Sequence, residues 1–83
     1  MYNFSTKGVC AKNINFEIKE GKLTNVEFVG GCPGNLIGIS TLVEGLTPQE
    51  VVTRLKGITC GGKSTSCPDQ LALAIEELVL ANT

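Results

Sequence analysis

Four cysteines, Cys10, Cys32, Cys60 and Cys67, carry the widest chemistry open to this chain of 83 residues, which has no histidine, no tryptophan and one tyrosine. Without histidine no Ser-His or Cys-His pair can form, so any reaction must draw on Cys, Lys or carboxylates. Cys32-Pro33 and Cys67-Pro68 repeat one dipeptide, each at the expected start of a helix. Proline suits the first helical position because it lacks an N–H that would go unpaired, which puts each cysteine at or near the N-cap. Free N–H groups and the positive end of the helix dipole favour thiolate there, below the reference thiol pKa of about 8.5. Such thiols suit metal ligation or redox chemistry. The competing reading is a cysteine packed as a small buried hydrophobe. The spacings are 21, 27 and 6 intervening residues, with no C-x-x-C pair, so the zinc-ribbon signature is missing. Four segment ends could still converge at one edge of a sheet-and-helix layer; the alternative is buried pairs or lone thiols.

Residues 57 to 64, Gly-Ile-Thr-Cys-Gly-Gly-Lys-Ser, match the phosphate-loop pattern G-x-x-x-x-G-K-[ST] letter for letter. That loop needs a buried parallel strand before it and a helix starting at the Lys-Ser. Here a helix is expected before it and the next helix near Pro68, so nucleotide hydrolysis is not expected. An anion held by backbone N–H groups near Ser64 to Asp69 is the weaker role left open.

Composition narrows the rest. At 83 residues the chain is one domain, spanning 1–83. A core of this size supplies only roughly 3–5 kcal/mol, so a metal, a disulfide or a partner subunit is expected to add to it. Seven basic against eight acidic residues, in no run of like sign, exclude a nucleic-acid footprint. No apolar stretch approaches the roughly 20 residues that span a bilayer, and the first residues do not read as a signal peptide. A cytoplasmic protein is the expectation, and in that reducing compartment cysteines serve as metal ligands, redox groups or buried thiols more often than as disulfides.

The elements that must position the cysteines can be read from periodicity. Residues 2–11 and 13–30 alternate with a period of two, with Glu20-Gly21-Lys22 as a tight turn, which predicts three mainly antiparallel strands. After Gly30-Gly31 the period becomes helical, with helices expected near 35–45, 48–56 and 68–81. Thr47-Pro48-Gln49-Glu50 reads as a capping box. The expected fold is α+β, a three-stranded sheet followed by three helices packed on one face. Leu73 and Leu80, one heptad apart and off the main stripe of the last helix, are a candidate dimer seam, or mark a helix buried on most sides.

The ordered motifs Gly30-Gly31-Cys32-Pro33-Gly34-Asn35-Leu36, Leu42-Val43-Glu44-Gly45, Leu55-Lys56-Gly57-Ile58-Thr59-Cys60-Gly61 and Thr65-Ser66-Cys67-Pro68-Asp69-Gln70-Leu71 closely resemble the small TSCPD-domain proteins, in their stand-alone, four-cysteine branch. The same domain resembles a C-terminal region of adenosylcobalamin-dependent ribonucleotide reductases, an analogy and not an activity. The resemblance places the family's cysteines on Cys10, Cys32, Cys60 and Cys67 and its signature on Thr65 to Asp69. It implies an accessory or binding module whose cysteines bind zinc or another thiophilic metal, with a homo-oligomer or a reductase-type protein as partner. A thiol redox partner of a reductase and a structural domain with inert buried thiols are the alternatives. No catalytic residue is assigned, and reduction of a ribonucleotide by this chain alone is not expected.

Overall fold

In the computed structural model, which describes residues 2–6, 8, 9, 11–31, 33–59, 62 and 64–82, three strands precede three helices. The strands β1 (Tyr2–Ser5), β2 (Ala11–Lys19) and β3 (Lys22–Gly30) form one antiparallel sheet in the order β1-β2-β3. The helices are α1 (Pro33–Val43), α2 (Pro48–Leu55) and α3 (Cys67–Leu78), followed by a 3-10 turn at Leu80–Asn82. This is the α+β arrangement that the change of period predicts.

The pleat sorts the strands into two faces. Ile14 and Phe16 of β2 and Leu23 of β3 are completely buried, and with Val43, Val51, Leu71, Ala74 and Ile75 from the three helices they form the core. Tyr2 lies opposite Phe16, and their rings stack at 5.1 Å. The other face is polar. Asn3, Asn15 and Glu27 stand side by side across the three strands. The Asn3 amide donates to Asn15, and Asn15 Nδ2 donates to Glu27 Oε1 at 3.2 Å. Cross-strand pairs of this kind stabilise the sheet without needing a cover.

Local chemistry sets the joints. Glu20 and Gly21 both take positive φ, 54° and 76°, the two-residue turn whose twist matches a hairpin. The α1–α2 linker lies along the start of β3: Leu23 N–H donates to the Leu46 carbonyl and Gly45 N–H to the Leu23 carbonyl, both at 2.8 Å. At α2, Glu50 N–H donates to Thr47 Oγ1 at 3.2 Å and Thr47 N–H to Glu50 Oε1 at 3.1 Å, completing the capping box.

Several boundaries differ from expectation, among them the end of α1, which stops at Val43. β1 stops at Ser5. α1 starts two residues early, at Pro33, whose fixed φ suits a first turn. The last helix is shorter, because Val79 leaves α-helical geometry (φ −113°) and the chain tightens into the 3-10 turn, which keeps Val79 and Leu80 on the core. Leu80 is thus taken up within the molecule. Of the two leucines proposed as a seam, only Leu73 remains off the core cluster, half-buried beside Phe4.

Two glycines separate backbone strain from crowding. A Cβ on Gly21 meets nothing within 4 Å, whereas one on Gly31 would lie 2.8 Å from Leu36 Cδ1 and 3.1 Å from the Ala11 nitrogen; both residues have positive φ. Gly21→Ala should cost about 1 kcal/mol from the left-handed backbone alone, and Gly31→Ala about 1–3 kcal/mol more from overpacking, compared by urea unfolding. Glu50 gives a pH test. Its carboxyl is held below the ordinary 4.5, first by the Thr47 backbone N–H and then by the Thr47 hydroxyl. A lowered folded-state value means that its contribution is complete above pH 4.5 and is lost as pH falls through that lower value. The gap in urea midpoint between wild type and Glu50→Gln should therefore be widest above pH 4.5 and close in more acid solution.

Candidate metal centre

Of the four cysteines singled out, Cys67 lies within the described residues, and Cys10, Cys32 and Cys60 lie outside them. Cys67 is a half-buried free thiol at the first residue of α3. Among the described residues no three Cys, Asp or Glu side chains gather as metal ligands. The neighbours of the four cysteines nevertheless meet. Gly31 approaches Ala11 so closely that a Cβ would be 3.1 Å from its nitrogen, and a Cβ on Gly8 would sit 3.6 Å from Thr65 Cγ2. The start of β2, the end of β3 and the approach to α3 thus share one end of the molecule.

The loop between α2 and α3 is closed by side chains at the same end. Gly57, at φ +89°, turns the chain out of α2, and its N–H donates to Asp69 Oδ1 at 2.7 Å. Thr65 Oγ1 donates to Asp69 Oδ2 at 2.5 Å and accepts from Gln70 Nε2 at 3.0 Å. Ser66 Oγ donates to the Ile58 carbonyl at 2.6 Å and accepts from Asp69 N–H at 3.2 Å. Ser66, Asp69 and Gln70 are all buried. The chain is therefore pinned at Gly57 and Ile58 on one side and at Thr65 and Ser66 on the other, with Cys60 between the two points in sequence.

The second Cys-Pro pair lies near the N-cap as expected, but one residue further into the helix than a proline at the first position requires. Ser66 is the N-cap, so Cys67 is the first helical residue and Pro68 the second. A hydroxyl accepts the N–H of the third helical residue better than a thiol does, and serine wins the position. The first pair falls partly outside the described residues, with Pro33 opening α1. The phosphate-loop match also finds no matching context: α2 precedes Gly57, and the following helix opens at Cys67 and not at Ser64.

The model of the TSCPD domain matches residues 2–79. The chain belongs to the TSCPD-domain family. Comparisons with curated proteins and with solved structures return no match. In this TSCPD domain the signature divides by role. Thr65, Ser66 and Asp69 hold the loop shut, and Cys67 and Pro68 form the first turn of the helix between them. The clasp was not singled out from sequence, although the spacing Ser66-x-x-Asp69 is that of a capped helix start. The Asp69 carboxylate departs from that pattern by reaching Gly57 and Thr65 instead of returning to the cap.

Removing a buried carboxylate with such partners has a defined cost. Asp69→Ala should lower stability by about 1.5–3 kcal/mol, the range for hydrogen bonds to a charged group, and Thr65→Val by about 1 kcal/mol, by urea unfolding. In both variants the Gly57 and Asp69 amides should exchange hydrogen faster than in the wild type. Unchanged protection of Gly57 in Asp69→Ala would show that the loop closes without the carboxylate.

Proposed function

We propose that this TSCPD domain is a small accessory module in which Cys10, Cys32, Cys60 and Cys67 together bind one zinc ion. The observation that carries this reading is the meeting of the residues next to the cysteines: Gly31 against Ala11, Gly8 against Thr65, and Ile58 bonded to Ser66. Each cysteine adjoins, or lies within two residues of, one of these contacts. An all-sulfur donor set in a chain without histidine suits zinc, with Zn–S distances of about 2.3 Å. A four-thiolate site has no open coordination position, so the metal would supply folding energy and not a reaction. Thiols must be kept reduced for this role, in keeping with a cytoplasmic setting. No helix among the described residues is long and apolar enough to cross a membrane. The family's relation to ribonucleotide reductases supports a protein of that type as the partner of the module.

Elemental analysis of protein purified under reducing conditions tests the site. One zinc per chain is expected, released by a mercurial that titrates four thiols and lost in each of the four single Cys→Ser variants. Removal of the ion by a chelator should lower the melting temperature, because affinity for the folded state adds to stability. Metal-free protein with four reactive thiols would replace this reading by the redox one, and stoichiometric zinc in Cys10→Ser or Cys60→Ser would break the four-cysteine set.

A further inference from the structure

The free edge of β3 and the face of α1 beside it enclose a groove of about 630 Å³, lined by Val26, Phe28 and Gly30 on the strand and by Leu36, Ile37 and Thr41 on the helix. It lies apart from the clasp. β3 is an edge strand, and its first half is already occupied: Leu23 bonds to Gly45 and Leu46, and Asn25 N–H donates to Glu44 Oε1 at 3.0 Å. Among the described residues nothing pairs with residues 26–29 on the side away from β2. Shifts of register next to Asn25 and at Gly30 bracket this segment. Natural edge strands are blunted by charge, above all lysine, by proline or by bulges. Val26-Glu27-Phe28-Val29 contains no lysine or proline, and its one charge, Glu27, and the flanking register shifts leave its main chain open on this side. Ile37 is 66% exposed above it, and Val29 is 39% exposed.

The charge of the groove points to its occupant. Glu27 and Glu44 line it and, among the described residues, no lysine or arginine does. Neither glutamate has an ion pair among the described residues, and α1 contains no charged residue at all. A second copy fits poorly. Pairing residues 26–30 antiparallel with themselves about Phe28 sets the two Glu27 side chains diagonally on one face, where like charges repel.

We propose that the groove receives an extended protein segment of alternating apolar residues bearing lysine or arginine, added to the sheet as a fourth strand on β3. Main-chain hydrogen bonds would supply affinity and the pocket under Ile37 would select alternate side chains. Five residues of such a segment span about 17 Å. This docking mode stands whether or not the cysteines bind a metal.

Titration of 15N-labelled protein with a synthetic hexapeptide alternating lysine and valine, and with its glutamate-valine counterpart, tests it. The lysine peptide should shift amides of residues 26–31 and 36–44 and should bind at least about tenfold more tightly than the glutamate peptide, a difference of about 1.4 kcal/mol. Ile37→Lys, at an exposed position, and Glu44→Gln, which keeps an acceptor for Asn25, should each weaken the lysine peptide while leaving the urea midpoint in place. No shifts at millimolar peptide, shifts elsewhere in the protein, or equal binding of the two peptides would overturn the proposal. So would sedimentation showing a dimer that Ile37→Lys dissolves, because the groove would then belong to a second copy.

Discussion

The carboxylate of Asp69, a residue only 7% exposed, ties the exit of α2 to the entry of α3, and the Ser66 hydroxyl on the Ile58 carbonyl ties the same two stretches beside it. A buried charge is costly unless its oxygens are satisfied. Both are: one takes the Gly57 N–H where α2 ends, the other the Thr65 hydroxyl just before α3 begins. That constraint fixes the exit of α2 relative to the entry of α3, and with it the seat of Val51 against Leu71, Ala74 and Ile75 in the core. The Lys56–Glu76 ion pair at 3.0 Å crosses between the same helices on the surface. Exposed pairs contribute little, so the buried carboxylate sets the geometry and the surface pair follows it.

The two ends of the molecule are held by different means. At one end lie the Glu20–Gly21 turn, the linker laid along Leu23, and the Thr47–Glu50 capping box. Two of these close within four residues, and the linker bonds directly to the hairpin. At the other end meet Gly8, Ala11, Gly31 and Thr65, from segments far apart in sequence. Loop closure there carries the larger entropic cost, and that is the end where the buried side-chain hydrogen bonds of Ser66 and Asp69 lie, next to Cys67.

This division explains what the sequence made legible. The hairpin turn, the capping box and the inward faces of β2 and α2 are local patterns; of the residues that these patterns turn inward, Ile14, Phe16 and Val51 are fully buried and Ile18, Val52 and Leu55 half-buried against the core. The cap of α3 was legible only to within a residue, because the Cys-Pro pair puts Cys67 at or near the N-cap and Ser66 one residue earlier has the stronger acceptor. The clasp itself could not be read from local pattern. Gly57 and Asp69 are 12 residues apart, and neither signals the other until α2 and α3 are packed. The same holds for the end of α3, where Leu78-Val79-Leu80-Ala81 contains no stop signal and tertiary contact with the core decides the 3-10 turn.

The helix α1 shows a third kind of constraint. It has apolar residues on more than one face: Leu36 and Val43 enter the core, while Ile37 and Leu42 stand 66% and 78% exposed. A surface helix of a free-standing domain normally carries charge on its outer face, and α1 carries none. Its packing against β3 satisfies only the inward stripe. Ile37 therefore adds apolar surface directly over a stretch of the β3 edge that no described residue pairs, and these two unmet features lie side by side. An isolated exposed leucine needs no explanation, which is the case for Leu42. An exposed isoleucine adjoining an unpaired strand is a different matter, because covering it and pairing the strand can be done by one and the same segment.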